Sequence, residues 1–531
     1  MCGIAGFIGN IEDKQRGWLS NALDILHHRG PDGSGRFEDD FLMLGHTRLS
    51  IIDLSSKGTQ PMHNKHLSLV MNGEIYNYNE LAHHLYTNDD AGDISIGNDS
   101  HTFLAYCLKF GVEDAMEISN GMWAFALYDR DKRTITLSVD RFGQKPLFYY
   151  ENQDGLYFAS TASALYPIEE KWKIDYNALD TYWQLGAIIG PNRLLKGIKK
   201  LCAGEKLTYN LKTKQYKVER WYTPQERKVK DLEKLIYDAI DTVKVADVPV
   251  NIFLSGGIDS TIVASRRWWH KAIHLDSTEI DYARDAATRS GLELEIVSPA
   301  LYSMDHILTD YVTKSGEPTM AGAIPYMTSQ VARQYGKVAV IANGADELFF
   351  GYDRLRNDND EHSNNQNNHL FRGSVFPHER LNKYRQKFNG KWSSRLTDLM
   401  TFVQFDINTT LDYASMAHGL EVRSPFLDHR LVEAALTIPE SVHRSNGNKT
   451  LLKNILLKLG YTESWINRPK VGFSLHYKPS DTDFLKDSAW KWAIDNKFLQ
   501  IPKSMSARDE QYLKASAMGF FIWFHQHYKY L

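Results

Sequence analysis

The chain changes its pattern once, near residue 205, and that change limits what it can fold into more than any single residue does. Before it come short alternating runs parted by glycine, proline and asparagine turns: CGIAGFIG, FLMLGHTRLSII, LSLVMNGEIY, MWAFALYD, TITLSVD, PLFYYEN and GLYFAS. A period of two predicts half-buried strands. Helical periodicity appears between them in WLSNALDILHH and HTFLAYCLKFG. Many strands with few helices predict layered sheets of α+β type. After PQERKVKDLEKL, a charged stretch running into a helix, strand and helix alternate: VPVNIFL, a glycine turn, STIVASRRWWH, then SQVARQYG, KVAVIA and a second glycine turn. That alternation predicts an α/β unit, an open parallel sheet with helices on both faces. From about residue 375 the pattern is mostly helical. The expected division is a first domain over 1–205, a linker over 206–230 and a second domain over 231–531.

Composition narrows the partners. The 531 residues are 43% hydrophobic and 24% charged, in the range of ordinary globular chains. A net charge of -3 speaks against nucleic acid, whose binding needs a basic surface to displace counterions. No run approaches the ~18 apolar residues of a membrane helix, and the first ten residues lack the basic start and long apolar stretch of a signal peptide. A cytoplasmic protein acting on small molecules is expected, with no membrane partner. Three cysteines, Cys2, Cys107 and Cys202, offer neither a disulfide framework nor a C-x-x-C pair. The segment NDNDEHSNNQNNH, residues 357–369, reads as a solvated loop whose His362 and His369 lack metal-ligand spacing.

Two short stretches carry chemistry. In MCGIAGF, removal of Met1 would leave Cys2 with a thiol and a free α-amine on one residue. An α-amine titrates near 7.7 to 8.0 when unperturbed, so its free-base fraction can take the thiol proton. The plain alternative is a small apolar residue opening a buried strand. In FLSGGIDSTIVA, residues Phe253, Leu254, Ser255, Gly256, Gly257, Asp259 and Ser260 join a strand to a helix. Paired glycines let bare backbone N–H groups close on an anion, and the serines add hydroxyl donors, which makes a phosphate cradle. It is not a Walker A loop, because an aspartate suited to Mg²⁺ stands where that loop has lysine. A second glycine turn, NGADELFFGY, would bring Asp346 and Glu347 to the same sheet edge, where Asp346 could share a metal with Asp259; capping of a helix is the alternative.

Read together, these stretches and their companions resemble one family. The order MCGIAGF, HHRGPDGSG, GHTRLSIIDLSSKGTQPM, MNGEIYNYNEL, DRFGQKPLFYY, LSGGIDS, GADELFFGY, HGLEVRSPFLDHRLVEAAL, NKTLLKNIL and RPKVGFSLH is similar to that of glutamine-hydrolysing asparagine synthetases. The resemblance implies an N-terminal-nucleophile (Ntn) αββα sandwich, a class II glutaminase, followed by an ATP-pyrophosphatase synthetase domain with a helical C-terminal part. It also implies a ligase, with ATP as co-substrate and Mg²⁺. Cys2 would attack the glutamine side-chain amide, with Asn72 and the Gly73 N–H as oxyanion hole. Arg48 would pair with the α-carboxylate, and Glu74 and Asp99 with the α-ammonium. The loop Phe253 to Ser260 and Asp346 would bind ATP, with Asp259 and Asp346 on the metal and Lys449 beside the reacting phosphate. Ammonia would cross to an aspartyl adenylate and give asparagine.

Departures keep other readings open. Asn98, Asp99, Ser100 and His101 stand for S-D-x-E, FAST at 158–161 for FASE, and Ile341 to Glu347 for S-G-E-G-x-D-E, so the expected acid is Asn343, which cannot accept a proton. SRRWWHKAIHLDSTEIDYARDAA is compact where the family has a longer nucleotide region, although E-x-x-Y-A-R is kept. An amidotransferase of the same architecture could therefore amidate another carboxylate, a sugar acid, a peptide or a secondary metabolite. A catalytically inactive regulatory protein is a reading from another class. A β-lactam-forming synthetase would need no Cys2, Arg48, Asn72 and Asp99 set, and a nucleic-acid-modifying pyrophosphatase would carry a basic surface. The sequence leaves open the acceptor and the oligomeric state, a homodimer included.

Overall fold

Strand alternation fixes the first half. In the strand Cys2–Gly9, Ile4 and Ile8 enter an apolar cluster with Leu44, Val70, Ala124 and Leu137, while Ala5 and Phe7 meet Trp18 and Leu19 of the helix Asp13–Leu26. This strand is thus buried on both faces, one against a second sheet and one against a helix. In this computed structural model, which describes residues 2–87, 97–319, 321–352, 394–468, 481–499 and 507–531, two six-stranded antiparallel sheets result. The first runs in the order Lys199–Lys200, Phe148–Glu151, Gly155–Ala159, Cys2–Gly9, Leu42–Arg48, Gly33–Asp39. The second runs Gln215–Arg220, Glu205–Asn210, Thr134–Val139, Gly121–Asp129, Leu67–Ile75, Met62–His63. The helices Tyr78–Thr87 and Asp99–Phe110 cover its outer face, where Leu81 and Phe103 join Leu69, Met71 and Phe125. This is the αββα sandwich. The hairpin 205–220, read from the sequence as the start of a linker, is hydrogen-bonded into the second sheet through Leu207 and Leu137.

The second half holds a five-stranded parallel sheet in the order Leu294–Val297, Ala272–Leu275, Val250–Phe253, Val338–Val340, Glu421–Arg423. Its central strand carries Val250 and Ile252 into an apolar core with Ile262, Val340 and Phe426, as the apolar run predicts. The helix after the first glycine turn, Ile258–Ala264, is shorter than STIVASRRWWH suggests. Arg267 adopts a left-handed φ of 58°, and Trp269 folds back to donate to the Val263 carbonyl at 2.9 Å. Helices Thr482–Asp495 and Ala507–His527 give the helical C-terminal part. No helix among the described residues is long and apolar enough to cross a membrane. The asparagine-rich segment with His362 and His369, and Pro469 onward in RPKVGFSLH, lie outside the described residues.

The cores cross the boundary between halves. One cluster joins Phe7 and Trp18 to Tyr182, Leu308 and Trp523; another joins Leu49, Ile51 and Phe142 to Ile240, Ile252 and Phe426. A π-helical segment, Leu399–Asn408, lies at this boundary. Its Asn408 donates to the Phe142 carbonyl at 3.1 Å, and its Gln404 packs on Gly143, where φ is +62° and a side chain would crowd the glutamine. Such wide turns are uncommon and concentrate near functional sites.

Candidate active sites

The alternation that builds the sandwich also builds its polar end. Cys2 shares the inward face with Ile4, Arg48 lies directly opposite Cys2 in the antiparallel register, and Asn72 and Glu74 continue the face that Val70 starts. Where the apolar residues run out, Cys2, Arg48, Asn72 and Glu74 bring polar groups to this end of the two sheets. The Cys2 backbone nitrogen, which becomes an α-amine if Met1 is removed, donates to Asn72 Oδ1 at 3.0 Å. That bond turns Asn72 Nδ2 away, and this amide nitrogen is buried with no hydrogen-bond partner. An unpaired buried donor is costly unless a ligand takes it. Gly73 follows, and a Cβ there would run into the Met122 carbonyl, so only glycine lets the strand pass. Burial raises the Cys2 thiol pKa; the thiol therefore needs a base to ionise it.

Glu74 is the acceptor counterpart. Its Oε2 is buried without a partner, while Oε1 lies 3.8 Å from Arg423 of the parallel sheet. Burial, with the negative charges of Glu421 and Asp99, raises the Glu74 carboxyl well above the usual range, Arg423 opposing. Glu421, 2.6 Å from Arg423, is instead held low: burial disfavours its charge, but nearby cations including Arg423 and Lys145 outweigh it. Of these two acids, Glu421 holds the charge because more positive charge is gathered around it. Asp99, raised by burial, accepts from the Ile75 N–H at 3.1 Å and so ties the helix Asp99–Phe110 to the Glu74 strand. Asn98 caps that helix through the His101 N–H at 2.9 Å; His101 is half-buried and its pKa lowered, by burial first. Arg48 turns toward the neighbouring loop, donating to the carbonyls of Ser55 (2.5 Å) and Asp53. The sequence-derived glutamine set, Cys2, Arg48, Asn72, Gly73, Glu74 and Asp99, thus occupies one end of the sandwich.

The second site lies at the carboxyl edge of the parallel sheet. Gly256 has φ +81°, and a Cβ there would press on the Ala283 N–H. The turn is stitched by Ser255, whose hydroxyl accepts from the Gly257 N–H at 3.2 Å and lies 3.0 Å from the Ser260 hydroxyl. Across it, Lys449, itself left-handed at φ 58°, places Nζ in contact with Asp259 and 2.6 Å from Asp346 Oδ1. Burial disfavours the ammonium, but the two carboxylates more than offset this and its pKa is raised. Two carboxylates converging on one cation form an oxygen donor set that fits a hard divalent ion such as Mg²⁺. Phe253 and Leu254 contribute differently: Leu254 is in the core, and its backbone bonds Ile273 and His274. Asn343 sits half-buried in the turn after Val338–Val340, whose next residue, Ile341, donates to the Arg423 carbonyl at 2.9 Å.

Sequence reasoning did not single out the charges between the sites: Arg29, Lys145, Asp412, Glu421, Arg423 and, over the glycine turn, Arg468. The last donates to the Gly256 carbonyl and stacks 3.7 Å from the Tyr282 ring centre. Their signal was present in E-V-R, two charges spaced by one residue in a strand-length run, a pattern that suits a buried ion pair only if both faces are covered.

Comparison with known proteins places both halves. A glutamine amidotransferase domain model matches residues 1–222 and an asparagine synthase model matches residues 231–527. The chain is similar to asparagine synthetase [glutamine-hydrolyzing] 1 of Bacillus subtilis, 26% identical across 93% of this chain and 89% of that protein. It is 30% identical to a Methanocaldococcus jannaschii protein named provisionally as a glutamine-hydrolysing asparagine synthetase, across 66% of this chain and 76% of that one. A further Bacillus subtilis protein, asparagine synthetase [glutamine-hydrolyzing] 2, is 27% identical across 89% of this chain and 72% of its own length.

Proposed function

This chain belongs to the family of glutamine-hydrolysing asparagine synthetases, and from that premise we propose that it makes asparagine from aspartate, using glutamine as nitrogen donor and ATP as driver. The observation that carries the first half-reaction is the opposed pair of unpaired buried atoms beside Cys2, the Asn72 Nδ2 donor and the Glu74 Oε2 acceptor. Glutamine supplies what each lacks, an oxyanion for the amide and an ammonium for the carboxylate. The Cys2 amine takes the thiol proton, and sulfur attacks the side-chain carbonyl. Negative charge develops on oxygen facing Asn72 and Gly73, and the proton leaves with ammonia. Water then releases glutamate from the thioester.

In the second half-reaction a carboxylate of aspartate attacks the α-phosphorus of ATP, releasing pyrophosphate. Ammonia attacks the resulting acyl adenylate and AMP leaves. The turn from Ser255 to Ser260 would bind phosphate oxygens, and Lys449 would neutralise charge that builds as pyrophosphate departs. Mg²⁺, when bound, would be held by Asp259 and Asp346 and would screen the phosphates. Asn343 favours a second reading, amidation of a different carboxylate, because an amide cannot take the proton that attacking ammonia must lose. One experiment separates the two: N-terminally processed protein with ATP, Mg²⁺ and glutamine, with and without aspartate, followed for AMP, glutamate and asparagine by mass spectrometry. Aspartate-dependent AMP and asparagine are expected. Glutamate release without asparagine would turn the search to another acid.

A further inference from the structure

The ionic network between the two sites contains an acid, Asp412, that no step above uses and that reaches Cys2 through one intermediary. Asp412, on the helix Thr409–Met416 of the second half, is 1% exposed and 2.9 Å from Arg29 Nη1, itself fully buried in the first half. Arg29 Nε donates to the Cys2 carbonyl at 3.2 Å. Lys145, also of the first half, lies 3.5 Å from the other Asp412 oxygen. Lys145 and Asp412 line a small cavity with Asn408, Ser415, Val422 and Ser424, the last two flanking Arg423.

Resting on the proposed glutamine hydrolysis, we propose that Asp412 is a positioning residue for Cys2, acting through Arg29. In an N-terminal nucleophile the base and the thiol belong to one residue, so rotation of that residue misplaces both. Asn72 fixes its nitrogen, and Arg29 fixes its carbonyl and with it ψ. A guanidinium holding a backbone oxygen with one nitrogen has freedom to swing unless its other edge is anchored. Asp412 is that anchor: it holds the Nη1 edge by a fully buried ion pair at 2.9 Å, a charge contact rather than a directed hydrogen bond, in surroundings where water cannot screen it. The anchor comes from the opposite domain. Glutamine hydrolysis therefore depends on the synthetase half being docked, while ammonia-dependent synthesis does not call on Arg29 or Cys2.

The test compares Asp412→Asn and Asp412→Glu with wild type, measuring glutamate release from glutamine and, separately, AMP formation with aspartate, ATP and ammonium chloride. Misplacing a reacting group by about 1 Å costs on the order of 100-fold, so Asp412→Asn is expected to lower kcat for glutamine hydrolysis about 10- to 100-fold. KM for glutamine should stay within about 3-fold, since Arg48, Glu74 and Asp99 are untouched, and the ammonia reaction within about 2-fold. Asp412→Glu keeps the charge that neutralises Arg29 and Lys145, and hence the fold, but is one methylene too long; a several-fold loss in the same kcat is expected. Equal losses with both nitrogen sources would show a structural role only and overturn the inference. So would a glutamate variant of wild-type kcat, even if the asparagine variant fails to fold. A wild type that hydrolyses no glutamine would overturn the proposed function itself, whereas an active wild type beside unaffected variants overturns this inference alone.

Discussion

The two sites meet their ligands in opposite electrostatic states. At the sandwich end, Asn72 Nδ2 and Glu74 Oε2 are buried without partners, both on the strand Leu67–Ile75, which pairs with Gly121–Asp129 along its whole length. At the parallel sheet, Lys449 closes on Asp259 and Asp346, so the groups expected to meet phosphate and metal already neutralise one another. The first pocket is preorganised and carries the cost of unmet polar atoms. The second is self-satisfied, and ligand must displace one charge to reach another. The difference teaches that one chain can use strand alternation for one site and long, mutually ion-paired side chains for the other.

That contrast can be broken most drastically at Cys2. Cys2→Ala is expected to reduce glutamine-dependent synthesis by about 10⁴-fold or more, as loss of a nucleophile does, and to leave ammonia-dependent AMP formation within about 2-fold. Glutamine-driven product persisting in the variant would refute the nucleophile. Asn72→Ala removes the waiting donor, and kcat for glutamate release should fall about 10²- to 10³-fold, as for loss of one oxyanion donor; steady-state kinetics with both nitrogen sources reads it.

Glu74→Gln sharpens the comparison, because it removes a group whose burial is unfavourable in the empty pocket. The raised pKa means that Glu74 contributes its full stability only below the unfolded value near 4.5, and that this is lost as pH rises through the folded value. The glutamine variant does not titrate. It should melt higher than wild type at pH 7 and converge with it toward pH 4, while KM for glutamine rises about 10-fold or more through loss of a charge-assisted bond. Melting curves from pH 4 to 8 that run parallel would contradict this. The smallest effect is at the second site: in Lys449→Met the two carboxylates lose their internal cation, so Mg²⁺ alone should raise the melting temperature by a few degrees, about 1 kcal/mol, and raise that of wild type less. Identical shifts in the two proteins would show that Lys449 does not compete with the ion.

What was legible in the sequence follows from range. Period-two alternation in CGIAGFIG and LSLVMNGEIY is local, and it marks the strands; that Cys2 and Asn72, seventy positions apart, belong together was implied by the family resemblance alone, since alternation within one strand says nothing of its partner. The cradle FLSGGIDS is likewise one contiguous turn. The early end of the helix at Ala264 was less visible, since Arg267 in a left-handed conformation is a bend no propensity favours. The hairpin 205–220 was hidden because its strands are charged and mostly solvent-facing, and polar alternation resembles a linker. The bridge from Arg29 to Asp412 had no local signal at all: it joins residues nearly four hundred positions apart, and each looks like an ordinary surface charge until both are buried. The π-helical turn at Leu399–Asn408 differs from α-helix by one residue per turn, below what periodicity over ten residues can resolve.

The apolar clusters that ignore the boundary between halves bear on how the molecule comes apart. Phe7 and Trp18 sit in the same cluster as Leu308 and Trp523, and Leu49 in the same one as Ile252, whereas the clusters around Ile4 and Phe103 lie wholly within the first half. Chemistry divides this chain in two, but the apolar interior does not follow that division: a fragment cut at the linker would leave the shared clusters open to water on one side.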